Sequence, residues 1–275
     1  FGSLVAALGS FLQARAQQGR WLVRIEDIDP PREMPGAADL ILTTLEAHGL
    51  GWDGEVMFQS ARHGRYDEII DQLYRAGDLY WCRCTRREIM AAGGFYNGHC
   101  RPLGLTAEGC AARLRQHHPV YRFEDALQGE ITVPAALAEE DFIVRRRDGL
   151  YAYNLAVVVD DMDSGITEIV RGADLLEPTV RQIALYQTLG ADVPAWVHLP
   201  LAVLADGNKL SKQNHAPALA QDDVRPALWQ ALTFLGQCPP PCLRENTVDE
   251  IIAWGIAHWQ LARVPRQQKI VLGAR

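Results

Sequence analysis

Trp21-Leu22-Val23-Arg24-Ile25-Glu26-Asp27-Ile28-Asp29-Pro30-Pro31 is an apolar run that turns acidic and stops at two prolines. Its first five residues read as a short buried strand, which the prolines cannot continue. In open parallel α/β sheets ligands collect outside the carboxyl ends of strands. Glu26, Asp27 and Asp29 are therefore placed to meet a ligand or, equally, to cap turns. Upstream, Leu4, Val5, Leu8, Phe11 and Leu12 mark one face of a helix that ends at Gly19. Downstream, helices are predicted from Ala37 to Ala47, stopping at Gly49, and from Tyr66 to Ala76, stopping at Gly77. Helix–strand–helix alternation at this spacing predicts an α/β fold with a doubly wound parallel sheet.

Farther along, Tyr80-Trp81-Cys82-Arg83-Cys84 is strand-like, which would put both thiols on one face. Cys100 follows a glycine-rich segment, so three thiols can supply three of the four ligands of a tetrahedral zinc. His99, Tyr96 and Cys110 are candidates for the fourth. His99 is the poorer one, because adjacent side chains diverge on extended backbone. Arg83, Arg86, Arg87 and Arg101 surround the cluster as a local basic patch. Residues 105–145 read as an irregular insertion with an amphipathic helix near 107–116 and short strands at Val120–Phe123 and Ile131–Val133. Regular alternation resumes at Asp141. Asp148-Gly149 makes a turn, and the run from Leu150 to Val159 reads as a buried strand ending in Asp160-Asp161.

Ile166 to Val170 is another strand. It ends at Arg171, whose guanidinium can fork onto a carboxylate. Thr179 is expected to cap a helix running to Leu189, and Trp196 opens the strand that leads to a polar loop holding Lys209-Leu210-Ser211-Lys212. Two ammonium groups three residues apart on such a loop can converge on a polyphosphate. Helices are predicted from Val224 to Leu235 and from Val248, with Cys238 and Cys242 in the proline-rich loop between them.

With 275 residues and 48% apolar content the chain can bury a substantial core. It holds no apolar run of about 18 residues, so no membrane span is expected. A net charge of −7 leaves no general electrostatic hold on nucleic acid, and RNA contact would have to come from local patches. Four of the six cysteines are clustered in a chain without a signal-peptide pattern, which predicts a cytoplasmic metal site rather than a disulfide framework. Because the first residue is Phe1, the native chain is expected to begin earlier.

In order, Arg24-Ile25-Glu26-Asp27-Ile28-Asp29-Pro30, Arg146 to Asn154, Val158-Val159-Asp160-Asp161, Ile169 to Asp174 and Lys209-Leu210-Ser211-Lys212 resemble the catalytic domain of class I glutamyl-tRNA synthetases. The last stretch is similar to the family's Lys-Met-Ser-Lys-Ser signature, departing from it at Leu210 and Gln213. Gly2 and Ser3 align with the end of the His-Ile-Gly-His signature, with serine in place of its last histidine. The cysteine spacing and the short C-terminal region are closer to the truncated paralogous family, the glutamyl-Q tRNA(Asp) synthetases.

This resemblance implies a Rossmann-like first half over residues 1–78, a zinc-bearing insertion over 79–140 that would touch tRNA, a second half over 141–215 and a short helical region over 216–275. It implies ATP with Mg2+, L-glutamate and the anticodon loop of tRNA(Asp) as partners, and a structural zinc on Cys82, Cys84, Tyr96 and Cys100. Gly2, Ser3, Lys209, Leu210, Ser211 and Lys212 would hold ATP, with Lys212 and Lys209 catalytic. Glu26, Tyr153 and Arg171 would hold glutamate.

Overall fold

The computed structural model describes residues 1–204 and 223–272. In chain order its elements are α1 (Gly2–Ala16), β1 (Arg24–Ile25), α2 (Ala37–Ala47), β2 (Met57–Phe58), α3 (His63–Ala76), β3 (Leu79–Cys82), α4 (Arg86–Ala91), β4 (Ala111–Leu114), β5 (Arg122–Asp125) and β6 (Gly129–Thr132). There follow α5 (Ala135–Ala138), β7 (Ile143–Arg145), α6 (Tyr153–Asp163), β8 (Glu168–Gly172), α7 (Thr179–Thr188), β9 (Ala195–Leu199), β10 (Leu201–Val203), α8 (Arg225–Phe234), α9 (Val248–His258) and β11 (Lys269–Val271).

Parallel pairing joins β1 to β2, β8 to β9 and β10 to β11, while β3, β4 and β7 form an antiparallel sheet and β5 and β6 a hairpin. The fold is α/β. One core, from Tyr66 and Leu73 to Tyr186 and Trp196, packs α3 and α7 around α6. A second packs α1 against β9, α8 and α9. There α1 passes so close to β9 that a Cβ on Gly9 would lie 2.5 Å from Leu199 Cδ1, hence the glycine. Gly77, with φ +81°, ends α3 in the left-handed conformation that suits glycine.

Several expectations are overturned. Residues 107–116 are not a helix: Ala111–Leu114 is the middle strand of the antiparallel sheet, paired on both sides. Two alanines favour helix by intrinsic propensity, and the pairing of both edges overrides it. The stretch from Leu150 to Val159 is not one strand; from Tyr153 it is helical. Leu155, Ala156, Val157, Val158 and Val159 are all buried, and a helix buried on every side shows no apolar stripe to distinguish it from a core strand.

Thr179 opens α7 but makes no capping bond; its hydroxyl instead donates to the Leu175 carbonyl at 2.8 Å. The final residues carry β11, which lies along β10, a pairing that local pattern could not foretell.

Candidate active site

The three residues expected to hold glutamate reach one place by different routes. Glu26 follows the last residue of β1. Tyr153 is the first residue of α6 rather than a strand residue, and Arg171 lies on β8. All three line a single cleft of 1970 Å³ with Ser3, Arg24 and Asp161. Gly2, beside Ser3, is the first residue of α1. Lys209, Leu210, Ser211 and Lys212 lie outside the described residues, beyond the end of β10.

The cleft wall carries alternating charge. Arg24 bonds Asp161 through Nη1 at 2.5 Å and Glu26 through Nη2 at 3.2 Å. Burial raises the Asp161 carboxyl pKa against the pull of Arg24. It also lowers that of Arg171, despite the favourable charges of Tyr153 and Asp161. The Tyr153 ring is 40% exposed, yet surrounding protein and the Glu26 charge raise its hydroxyl. Two guanidiniums and two carboxylates around one hydroxyl suit a small zwitterion with an additional carboxylate, because each ligand charge finds an opposite. Arg24 and Asp161 are the members that sequence reading passed over. Their only local signals were a cation inside an apolar strand and an acid pair closing an apolar run.

Beneath this wall Asp160 is fully buried and saturated. It accepts from Gln59 Nε2 at 2.8 Å, from Arg62 Nε at 2.6 Å and from the Tyr66 hydroxyl at 2.9 Å. That network anchors α6 to α3 and so fixes where Tyr153 begins.

The ligand sulfurs of Cys82, Cys84 and Cys100 lie within 4.8 Å of one another. β3 ends at Cys82, so shared strand geometry is not what gathers them; the chain beyond β3 and the turn at Gly98 do. Cys84 and Cys100 sulfurs are 3.5 Å apart, close to the roughly 3.8 Å separation that tetrahedral thiolates at about 2.3 Å from zinc require. Burial and neighbouring sulfurs push the Cys84 thiol up to about 12, so three thiolates at this spacing call for a cation.

Tyr96 reaches the same point. Its hydroxyl accepts the Cys100 backbone N–H at 2.7 Å, and the Arg113 guanidinium lies over its ring at 3.8 Å. Cys110 and His99 are outside the cluster. The donor set fits zinc. The arginine patch is smaller than expected, because Arg101 is committed to Asp141 through two bonds of 2.5 Å.

The model of class I tRNA synthetases for glutamate and glutamine, catalytic domain, matches residues 1–94 and 105–250. A glutamyl-Q tRNA(Asp) synthetase of Serratia proteamaculans is 61% identical over 272 residues, covering 99% of this chain and 90% of the relative. That of Pectobacterium atrosepticum is 60% identical over 270 residues, covering 98% and 84%. The chain belongs to the glutamyl-Q tRNA(Asp) synthetase family. It is a ligase of the class I synthetase type.

Solved glutamate-tRNA synthetases agree in fold. The one from Elizabethkingia anophelis has a TM-score of 0.77 at 23% identity, covering 98% of this chain and 65% of that one. The glutamate tRNA ligase of Elizabethkingia meningosepticum gives 0.78 at 23%, covering 96% and 63%. No helix among the described residues is long and apolar enough to cross a membrane.

Proposed function

We propose that the protein activates L-glutamate with ATP to glutamyl-adenylate and transfers the glutamate to the queuosine at the first anticodon position of tRNA(Asp). The observation that carries this reading is the convergence of Glu26, Tyr153 and Arg171 on one charged cleft in a member of the glutamyl-Q tRNA(Asp) synthetase family. In this reading the parallel pairs belong to one Rossmann-like doubly wound sheet, and the cleft lies at the carboxyl end of β1, where such sheets bind ligands.

Glu26 receives the substrate ammonium, exchanging its contact with Arg24 for one with the ligand. Arg171 takes a substrate carboxylate through its Nη1 edge, and the Tyr153 hydroxyl completes the pocket. Glutamate is thereby held with its α-carboxylate free to attack the α-phosphorus of ATP in line, expelling pyrophosphate. No protein nucleophile takes part; orientation and charge stabilisation supply the catalysis. Gly2 and Ser3 approach the nucleotide, and Lys209, Leu210, Ser211 and Lys212 are the residues assigned to its phosphates, with the lysines meeting the developing charge. ATP arrives with Mg2+, which shields the phosphates.

Cys82, Cys84, Cys100 and Tyr96 would hold a structural zinc, and coordination would lower the Tyr96 hydroxyl far enough to ligate as phenolate. This would pin the segment that carries Arg83, Arg86 and Arg87 toward RNA.

The test has two arms. Glutamate-dependent ATP–pyrophosphate exchange checks activation, and no exchange with the full-length protein would sink the reading. Labelled glutamate should then pass to an isolated queuosine-bearing anticodon stem-loop, which has no 3′ acceptor end. Transfer only to an acceptor end would instead identify ordinary tRNA charging.

A further inference from the structure

Arg171 is held from behind by a chain of buried groups that contributes nothing directly to the cleft wall. β8 and β9 pair so that Arg171 and His198 are cross-strand partners. Arg171 donates its Nε–H to His198 Nε2 at 3.1 Å and an Nη2–H to Thr179 Oγ1 at 2.8 Å. On the far side of the imidazole, Nδ1 lies 2.6 Å from Asp125 Oδ2, and both side chains are completely buried. Asp125 Oδ1 accepts three backbone N–H groups, from Leu127 at 3.0 Å, Gln128 at 2.8 Å and His198 at 3.3 Å.

Donor inventory fixes the proton. A guanidinium has only donors, so the ring nitrogen facing it must present a lone pair. Thr179 Oγ1 also lies 3.2 Å from Nε2 while giving its own proton to the Leu175 carbonyl. The acceptor-only Asp125 carboxylate, at 2.6 Å, draws the imidazole proton to Nδ1, and Nε2 turns its lone pair to the Arg171 Nε–H. The carboxylate comes from the β5–β6 hairpin. That hairpin is clamped to β9 by the Ala126 N–H to the Trp196 carbonyl at 2.9 Å and by Gln128 Nε2 to the His198 carbonyl at 2.9 Å. Trp196 stacks on the imidazole with ring planes 15° apart and lies under the Arg171 guanidinium. Nε is thus tied to His198, and Nη2 to Thr179 and, at 3.5 Å, to the Leu175 carbonyl; Nη1 makes none of these bonds.

We propose that Asp125 and His198 are positioning residues: the hairpin carboxylate selects the imidazole tautomer that accepts from Arg171 and so aims the guanidinium at the substrate carboxylate. This rests on the reading of Arg171 as the carboxylate-binding residue. It makes the β5–β6 hairpin, remote in sequence from β8, a determinant of glutamate affinity.

Asp125→Asn tests it. The carboxamide oxygen can keep the three backbone bonds while its NH₂ turns toward Nδ1, driving the imidazole proton to Nε2, where it opposes the Arg171 Nε–H. Nitrogen-15 NMR of the histidine ring should place the proton on Nδ1 in the native protein and on Nε2 in the variant, a readout that needs no substrate. In ATP–pyrophosphate exchange the glutamate KM should rise about tenfold or more, with the ATP KM unchanged.

His198→Gln, whose amide oxygen can still accept from Arg171, should raise the glutamate KM less than about threefold, whereas His198→Leu should match Asp125→Asn. These two substitutions decide the matter if Asp125→Asn does not fold. In the His198→Gln background, Asp125→Asn should add less than about twofold. A native imidazole protonated on Nε2, or glutamate and ATP KM values that move together in folded variants, would overturn the proposal. Loss of exchange in the native protein would instead strike the proposed function, with the NMR result still deciding the tautomer.

Discussion

Cys82, Cys84 and Cys100 come together from one short span of chain, whereas Glu26 reaches Tyr153 and Arg171 from a far part of the sequence. The chemistry differs as sharply as the wiring. The cysteine cluster gathers like groups that cannot all ionise without a cation among them. The cleft gathers opposite charges that already offset one another, Arg24 being shared between Asp161 and Glu26. On the proposed reading one region would be completed by its ligand, and the other would exchange internal partners for its ligand. The first kind of site should stabilise its surroundings on binding; the second should discriminate by which charges it can replace.

The sharpest way to break the contrast is at Arg171. Arg171→Ala should lower kcat/KM for glutamate in exchange on the order of 10²–10³-fold, about 3–4 kcal/mol, because a buried charge partner is lost. ATP binding and zinc content should be unchanged. A loss of tenfold or less would argue against Arg171 as the carboxylate anchor.

Next in size is the support of α6. Asp160→Ala leaves Arg62, Tyr66 and Gln59 without their shared acceptor. It should cost about 3 kcal/mol in urea denaturation. The cysteine segment, which makes none of these bonds, should keep its metal affinity.

Chelation reverses the roles. The protein should carry one zinc per chain by elemental analysis. Its removal should speed amide hydrogen exchange across residues 82–101 about tenfold, with glutamate-dependent activation changed less than about threefold. Equal loosening of both regions would show that they are not independently built.

The smallest effect is pH-dependent. Burial lowers the His198 pKa, as does Arg171, against the pull of Asp125 and Asp174. A group harder to protonate in the folded state favours unfolding once the unfolded chain takes up its proton. Stability should therefore fall as pH drops below about 6.5. Asp125 is buried, which alone would raise its carboxyl, but the bonds from His198 and Gln128 prevail and hold it low. Its contribution is present above about pH 4 and lost below. Denaturation of His198→Gln from pH 7 to 5 should show a flatter slope than the native protein.

How much of this was legible depended on where the deciding partner lay. Gly49 and Gly77 marked the ends of α2 and α3 because left-handed turns need no tertiary help. The span from Cys82 to Cys100 suggested a metal because its ligands are near neighbours in sequence. The order of the signature segments pointed to the family, and Arg171 was visible as a cation at a strand end. By contrast, Leu150 to Val159 misled because complete burial erases periodicity, and Ala111 to Leu114 misled because its conformation is dictated by β3 and β7.

By itself, then, the sequence determined the class of chemistry: which side chains are available, their charges and the turns that separate them. Tertiary structure alone decided that Arg24 is shared among Asp161, Glu26 and Asp160, that Asp160 anchors α6 and that a hairpin aspartate stands behind Arg171. Such pairings are set by the mutual burial of segments far apart in the chain. Desolvation is what makes a hydrogen bond of a few ångströms matter, and no local pattern encodes which distant group will be buried beside it.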